Sequence, residues 1–386
     1  MIRLAWWIHL GLVLVTCLAY VSPYVDPAQA WPASIAALAL PALLATQIVF
    51  AIGWVLLRRS HWWLSVAAFA LGYGQLGHVL PVSGLVTGDA ELVSADRLLR
   101  VTTYNMLGGG SIYDKSREAF RQNLQRFRRQ LAEDTDLLVL QESPKYAYVR
   151  RGLDSTLSSA GLRHRYNPTD LTLSLHSRHP ILAAEVIDQR NGSNGILSVL
   201  LHTPTEDTVQ VLVAHLASNA VRLDASDVLR DAARDGRRAF GRVRGVASRY
   251  RQAAAARVAQ VEPVLDAVAR SRRPVLLLGD LNDVPLSRTL AKLRGSGLVD
   301  AWEQRGWGFG VTYPDAIPGL RIDYVLHSPN IQTESVQILD AGFSDHRPLR
   351  AVLHLPSKAV AVSSDTVRVG SEDSEQFSMK VVEPKQ

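Results

Sequence analysis

Four side chains suited to proton transfer or cation binding stand where an apolar run of the chain stops. Asn105 follows Val101–Tyr104, Gln141-Glu142 follows Leu137–Leu140, His215 follows Val209–Ala214, and Asp280 follows Val275–Gly279. If these runs are neighbouring strands, their ends converge on one sheet edge, where loops can shape a site. Any one of them alone is more often a cap or a turn former. Together, as acid, amide and imidazole groups, they point to a site that combines a bound cation with acid–base chemistry.

Two further segments extend the set. Gly279-Asp280-Leu281-Asn282-Asp283 puts Asp280 and Asn282 two positions apart, on the same side if the segment is extended. An acid beside an amide can deprotonate and orient a water. The plainer reading of the same residues is an Asx-type turn after a strand. Ser344-Asp345-His346-Arg347-Pro348 joins a carboxylate to an imidazole, and Asp323 lies inside the apolar run Arg321–Leu326. A buried acid is costly unless paired, and a histidine is its natural partner. Such a pair favours the imidazolium, so His346 could hold a phosphoryl group or protonate a leaving oxygen. The oxygen-rich donors suit Mg²⁺, which keeps several waters and needs one or two carboxylates. Glu142 is the principal candidate ligand, with Asn105 and Asp345 assisting and Mn²⁺ as a substitute metal. Cys17 is the single cysteine, which excludes a thiolate zinc site and an intrachain disulfide.

Positioning these residues requires a substantial sheet. Leu98–Tyr104, Leu137–Gln141, Ile196–His202, Val209–Ala214, Val275–Leu278, Ile322–Leu326 and Ala351–Leu355 all read as strands. Phe120, Leu124, Phe127 and Leu131 give Arg117–Ala132 one apolar helix face. The Ala- and Val-rich stretch Gln252–Arg270 predicts a second helix, which contains Pro263. Strands interspersed with helices indicate a layered α/β or α+β domain over 98–356. After Pro356 the chain loses periodicity, and 357–386 reads as a disordered tail.

The amino-terminal part is different. Leu4–Val21, Ala33–Leu57 and Trp62–Leu80 contain no Asp, Glu, Lys or Arg, and each is about long enough to span a bilayer. The expectation is a membrane anchor over 1–80 with about three transmembrane helices, then a linker over 81–97. Ala28-Gln29-Ala30 resembles a signal-peptide cleavage site, but two apolar stretches follow it. Arg3 and the Arg58-Arg59 pair place the amino terminus and the second connection in the cytoplasm. Three spans would then put the catalytic domain outside it. If Trp62–Leu80, which carries Gly72, Gly74, Gln75, Gly77 and His78, only lay on the surface, the domain would be cytoplasmic. Too few spans and no intramembrane charges exclude a transporter. The net charge is +6, which favours anionic partners. Arg230–Arg251 carries eight Arg and two Asp, and could grip nucleic acid or lipid headgroups or be a solvated helix face.

Thr-Tyr-Asn at Asn105, Gln141-Glu142, His215, Gly279-Asp280-Leu281-Asn282, Arg321-Ile322-Asp323-Tyr324 and Ser344-Asp345-His346 resemble, in order, the motifs of the endonuclease/exonuclease/phosphatase superfamily. The resemblance covers about Leu98–Leu355, and the layout of apolar amino-terminal spans resembles bacterial members. It implies a four-layer sandwich, with two mixed β-sheets flanked by helices. It further implies Mg²⁺ on Glu142 near Asn105 and Asp345, and Asp280 activating water that Asn282 orients. His215 and His346 would contact phosphoryl oxygens, and Asp323 would orient His346. The expected protein is an integral protein of the bacterial plasma membrane with an extracytoplasmic catalytic domain. Its partners would be the lipid bilayer and a phosphate ester, lipid headgroup or nucleic acid, with no obligate protein partner. The alternatives are an extracytoplasmic nuclease and a non-catalytic binding protein with a degenerate domain.

Overall fold

The computed structural model describes residues 2–86, 97–190, 194–203, 207–218, 236–314 and 319–356. The expected tail over 357–386, part of the expected linker (87–96) and the start of the basic run (230–235) lie outside the described residues.

Twelve strands among the described residues form two six-stranded sheets. The first contains β1 (Leu98–Asn105), β2 (Leu137–Gln141), β3 (His164–Tyr166), β4 (Ser174–Ser177), β11 (Gln332–Ile338) and β12 (Leu349–His354), in the order β11-β12-β1-β2-β4-β3. The second contains β5 (Ile181–Arg190), β6 (Asn194–His202), β7 (Thr208–His215), β8 (Val275–Asp280), β9 (Val299–Asp300) and β10 (Asp323–His327), in the order β5-β6-β7-β8-β10-β9. Both sheets are mixed, because β1–β2 and β7–β8 are parallel while the other pairs are antiparallel.

Alternation along the strands fixes the layers. Leu99, Val101, Leu137 and Val139 meet Leu197, Val199, Val211, Val213, Leu276 and Leu278 in the core between the sheets. Leu138 and Leu140 point the other way, into Phe120, Leu124 and Phe127 of α7 (Arg117–Phe127) and Leu153 and Leu157 of α8 (Ala147–Ser159). Leu212, Ala214 and Leu277 pack on Val261 and Val264 of α9 (Gly236–Arg270) and on Leu290 and Leu293 of α10 (Arg288–Gly295). The result is a four-layer sandwich with helices outside both sheets.

The amino-terminal helices form a unit of their own. α1 (Ile2–Val21) buries His9, Val13, Thr16, Ala19 and Tyr20 on one face and exposes Leu4, Trp7, Ile8, Leu14, Val15 and Leu18 on the other. By length and composition, the helix that includes α1 and runs over Ile2–Tyr24 can cross a membrane. The second apolar stretch is two helices, α2 (Trp31–Leu38) and α3 (Leu40–Leu56), bent by 67°. The expected third span is not one helix but two short ones, α4 (Trp63–Leu71) and α5 (Tyr73–Val79). Neither is long enough to cross. The break falls at Gly72, where a Cβ would lie 2.1 Å from the Tyr20 ring, so close packing on α1 sets the residue.

Candidate active site

Strand register brings the acidic and imidazole residues together. In the second sheet His215 is the register partner of Asp280 across β7–β8, and Asp323 is the partner of Asp280 across β8–β10. Gly279 makes the first pairing possible, because a Cβ there would sit 1.8 Å from the Ala214 carbonyl oxygen. In the first sheet Asn105 pairs with Gln141 at the parallel ends of β1 and β2, and Glu142 follows directly. The two sheet edges face each other, and Asn105 bridges them. Its Nδ2 donates to Glu142 Oε1 at 3.2 Å and to Asp280 Oδ2 at 2.9 Å.

Asp280 is the centre of the constellation. It is 1% exposed. His215 Nε2 and His346 Nε2 each lie 3.8 Å from the oxygen that accepts from Asn105. His215 Nε2 is also 3.8 Å from Glu142 Oε1. The second Asp280 oxygen accepts from the backbone N–H of Asn282 at 2.8 Å. The Asx-type turn is therefore realised, and it changes how Asn282 enters the site. The strand stops at Asp280, and Asn282 adopts φ +52°, so period-two alternation is not what places it. Its Nδ2 donates to the Leu216 carbonyl, one residue beyond His215.

Glu142 also sits in the left-handed region, at φ +47°. A non-glycine residue held there costs about 1–3 kcal/mol, and such strain clusters at functional sites. His346 Nδ1 lies 3.0 Å from Asp323 Oδ2. Burial alone would depress this imidazole. The Asp323 carboxylate beside it, with Asp280 and Asp345, outweighs burial and pushes it up to about 9. Asp345 is half-buried on the His346 side of the site, with Ser344 Oγ at 3.4 Å.

The donor set fits a divalent cation on the Glu142 side. The Glu142 side chain is 34% exposed, and with Asn105 it offers hard oxygens. Both ring nitrogens of His215 are buried without a hydrogen-bond partner among the described residues. Buried polar atoms are rarely left so, and Nε2 is the one directed between the Glu142 and Asp280 carboxylates. Asp280, Asp323 and His346 also bring ligand-type atoms within 4.8 Å of one another. In that trio Asp323 Oδ2 lies 3.0 Å from His346 Nδ1, and His346 Nε2 lies 3.8 Å from Asp280 Oδ2. Beside Glu142, a cavity of about 330 Å³ is lined by residues including Lys145, Arg150, Asn167 and Thr169.

Strand-end reasoning missed several contributors. The Tyr313 ring lies 4.5 Å from the His346 ring, and Thr312 Oγ1 accepts from the backbone N–H groups of Ile322 and Asp323. Both are loop residues without a sequence signal. Asp283 and Arg257 pair behind the site at 3.1 Å. Arg257 did leave a signal, because Tyr250, Ala254, Arg257, Val261 and Val264 form one helical stripe and all are buried.

A family model described as "Endonuclease/Exonuclease/phosphatase family" matches residues 102–346. The chain belongs to that family. As a member it is a metal-dependent hydrolase of phosphoric ester bonds. A second family model, a domain of unknown function, matches residues 2–79. No curated protein matches the chain. Among solved structures, an endonuclease/exonuclease/phosphatase from Beutenbergia cavernae is 20% identical, with 67% of this chain and 72% of that chain covered and a TM-score of 0.45. D. rerio TDP2 complexed with single-strand DNA product is 15% identical, with 66% and 98% covered and a TM-score of 0.46. Sphingomyelinase C from Streptomyces griseocarneus is 18% identical, with 66% and 99% covered and a TM-score of 0.41.

Proposed function

We propose that the chain is a membrane-anchored, Mg²⁺-dependent phosphodiesterase in which Asp280 deprotonates the attacking water. The observation that carries this reading is the setting of Asp280, a buried carboxylate held by Asn105 and edged by His215 and His346 at 3.8 Å. Glu142, Asn105 and Asp345 would hold the metal, which supplies Lewis-acid polarisation of the phosphoryl group when bound. Asp280 takes the water's proton, and Asn282, anchored to Leu216, keeps Oδ1 to orient that water. His215 and His346 face the phosphoryl oxygens, where cationic or N–H groups stabilise developing charge. Asp323 holds the His346 ring so that Nε2 points at the reacting centre, ready to give a proton to the leaving oxygen.

The substrate we favour is a phosphodiester in a lipid headgroup. The exposed apolar faces of α1 and α3, including Trp7, Leu14, Val49 and Leu56, suit a bilayer. The helical unit that carries them packs through Val79 on Val284 and Leu286, close in sequence to Asp280 and Asn282. A site held so near the bilayer meets phosphates confined to its surface. Lys145 and Arg150 beside Glu142 add positive charge for an anionic headgroup.

The test is hydrolysis of bis-p-nitrophenyl phosphate and of phospholipid vesicles by the full chain in detergent, titrated with Mg²⁺ and Mn²⁺. Glu142→Ala should raise the metal concentration needed for half-maximal activity by more than the roughly 10- to 100-fold that loss of a ligand's hydrogen-bonding partner costs. An unchanged metal requirement would remove Glu142 from the metal site. Preference for plain DNA over every lipid would favour the nuclease reading.

A further inference from the structure

The helical unit at residues 2–79 touches the domain at the segments that carry the catalytic acids. We infer that it is an intramolecular brace that holds those segments in register, with Arg321 and Arg257 as positioning residues; this rests on the site proposed above.

Three independent connections support the inference. First, Arg321 is 2% exposed and lies two residues before Asp323. Its Nη1 is ion-paired to Asp300 at 2.5 Å, and its Nη2 donates to the His78 carbonyl of α5 at 2.9 Å. The same guanidinium lies over the Tyr324 ring, and the single proton of the Tyr324 hydroxyl is shared between the carbonyls of Asp283 and Arg321, at 2.9 and 3.0 Å. One hydroxyl thus ties the segment after Asp280 to the segment before Asp323. Removing the His78 carbonyl would leave a buried guanidinium N–H without its acceptor, which is costly.

Second, Val79 sits in an apolar cluster with Ala37 and Leu40 of the helical unit and Val284 and Leu286 of the catalytic domain. Val284 and Leu286 follow Asn282-Asp283 directly, so this seat fixes the end of the Asp280 turn. Arg288 Nη1 adds a bond to the Pro23 carbonyl at 3.0 Å.

Third, α9 connects the helical unit to the catalytic loops along one face. Tyr250 donates its hydroxyl to the Ser34 carbonyl of α2 at 3.3 Å. Two turns further on, Arg257 is fully buried, pairs with Asp283 and donates to the Ala217 carbonyl at 3.0 Å. Ala217 lies two residues past His215, and its N–H is held by Gln260 on the same helix. α9 therefore grips the loops after β7 and β8 together while resting on the helical unit. The sides of the site that carry His215, Asp280 and Asp323 are all backed by these contacts. A catalytic geometry loosened by about 1 Å loses on the order of 100-fold in rate, so the brace bears on turnover as well as on stability.

The experiment uses the full chain in detergent micelles with bis-p-nitrophenyl phosphate, a soluble substrate that needs no membrane. Val79→Ala and Tyr250→Phe should each lower kcat by about tenfold with KM little changed, since they misplace the reacting groups without touching substrate. Val79→Ile should restore kcat. Leu14→Ala, on the exposed face of α1, should leave it at the unmutated value. Hydrogen exchange reads the brace independently of activity. Val79→Ala should speed exchange over 281–288 and 321–324, whereas a unit that only anchors would leave those amides as protected as before. Unchanged kcat in the isosteric Tyr250→Phe, together with unchanged exchange in Val79→Ala, overturns the inference. An unmutated chain that hydrolyses nothing would instead count against the phosphoesterase reading, and exchange would still decide the brace.

Discussion

Two of the buried polar clusters among the described residues, one among the amino-terminal helices and one at the sheet edges, are built on opposite plans. In the helical cluster Trp54 Nε1 donates to His9 Nδ1 at 2.9 Å, which leaves the proton on Nε2 to donate to Gln47 Oε1 at 2.9 Å. Ser65 lies 3.0 Å from the same nitrogen and donates to the Gln47 backbone carbonyl. Gln47 Nε2 closes the network on Thr16. Both nitrogens of His9 are satisfied, so the network orders α1, α3 and α4 and has nothing left for a ligand. At the sheet edges His215 is equally buried, yet neither of its nitrogens has a hydrogen-bond partner among the described residues, and Nε2 only approaches the Asp280 and Glu142 carboxylates at 3.8 Å. Two neighbours there, Glu142 and Asn282, hold strained backbone. A closed cluster stabilises; an open one is poised for a ligand.

That contrast can be broken by substitution. The largest effect should come from His215→Ala, which lowers kcat about 100- to 1,000-fold. Its melting temperature should fall no further than the lost packing requires, because no hydrogen-bond partner is orphaned. A fall in melting temperature with intact turnover would make His215 structural. Next comes acid sensitivity at the junction of the two units. Burial alone would push the Glu303 carboxyl up, but the hydrogen bond to His78 and the charges of Arg294, His78 and Arg321 outweigh it and hold it down at about 2. Its folded value lies below the ordinary 4.5, so the stability it supplies is complete above about pH 4.5 and is lost as pH falls toward 2. The loss is about 3 kcal/mol. Urea unfolding at pH 5 and pH 3 should show that slope flattened in Glu303→Gln. The smallest effect is His9→Ala, which should cost about 2 kcal/mol of stability by orphaning Trp54 and Gln47. Turnover at temperatures where the chain stays folded should be unaffected. A large loss of turnover there would show that the helical cluster also serves the chemistry.

How much of this was legible in the sequence follows from the same physics. Apolar runs such as Leu137–Gln141 and Val275–Leu278 announced central strands, because strands buried on both faces must be apolar throughout. Edge and polar strands stayed hidden. Ser174–Ser177 is not among the strands expected from the sequence, yet it is a fully buried strand, with Ser174 Oγ 2.8 Å from Ser143 Oγ. β11 is too polar to stand out, and Glu185 and Asp188 interrupt the apolar run of β5. Strand-end reasoning brought Asn105, Glu142, His215 and Asp280 to one place, since parallel neighbours end on the same side. The Asp323–His346 pair was foreseeable from the cost of burying an acid. Asn282 was expected on the right loop for the wrong geometric reason, and Tyr313 was missed because packing, not pattern, brings it in, whereas the helical stripe through Arg257 carried a pattern that strand ends do not show. The break of Trp62–Leu80 at Gly72 depends on a contact with Tyr20 that no local window contains.

The most direct test of the account is turnover of bis-p-nitrophenyl phosphate by the full chain with saturating Mg²⁺, unmutated against Asp280→Ala. The structure predicts a loss of about 1,000-fold in kcat with the fold retained, because every arm of the site converges on that carboxylate. Turnover equal to the unmutated chain would contradict the central claim.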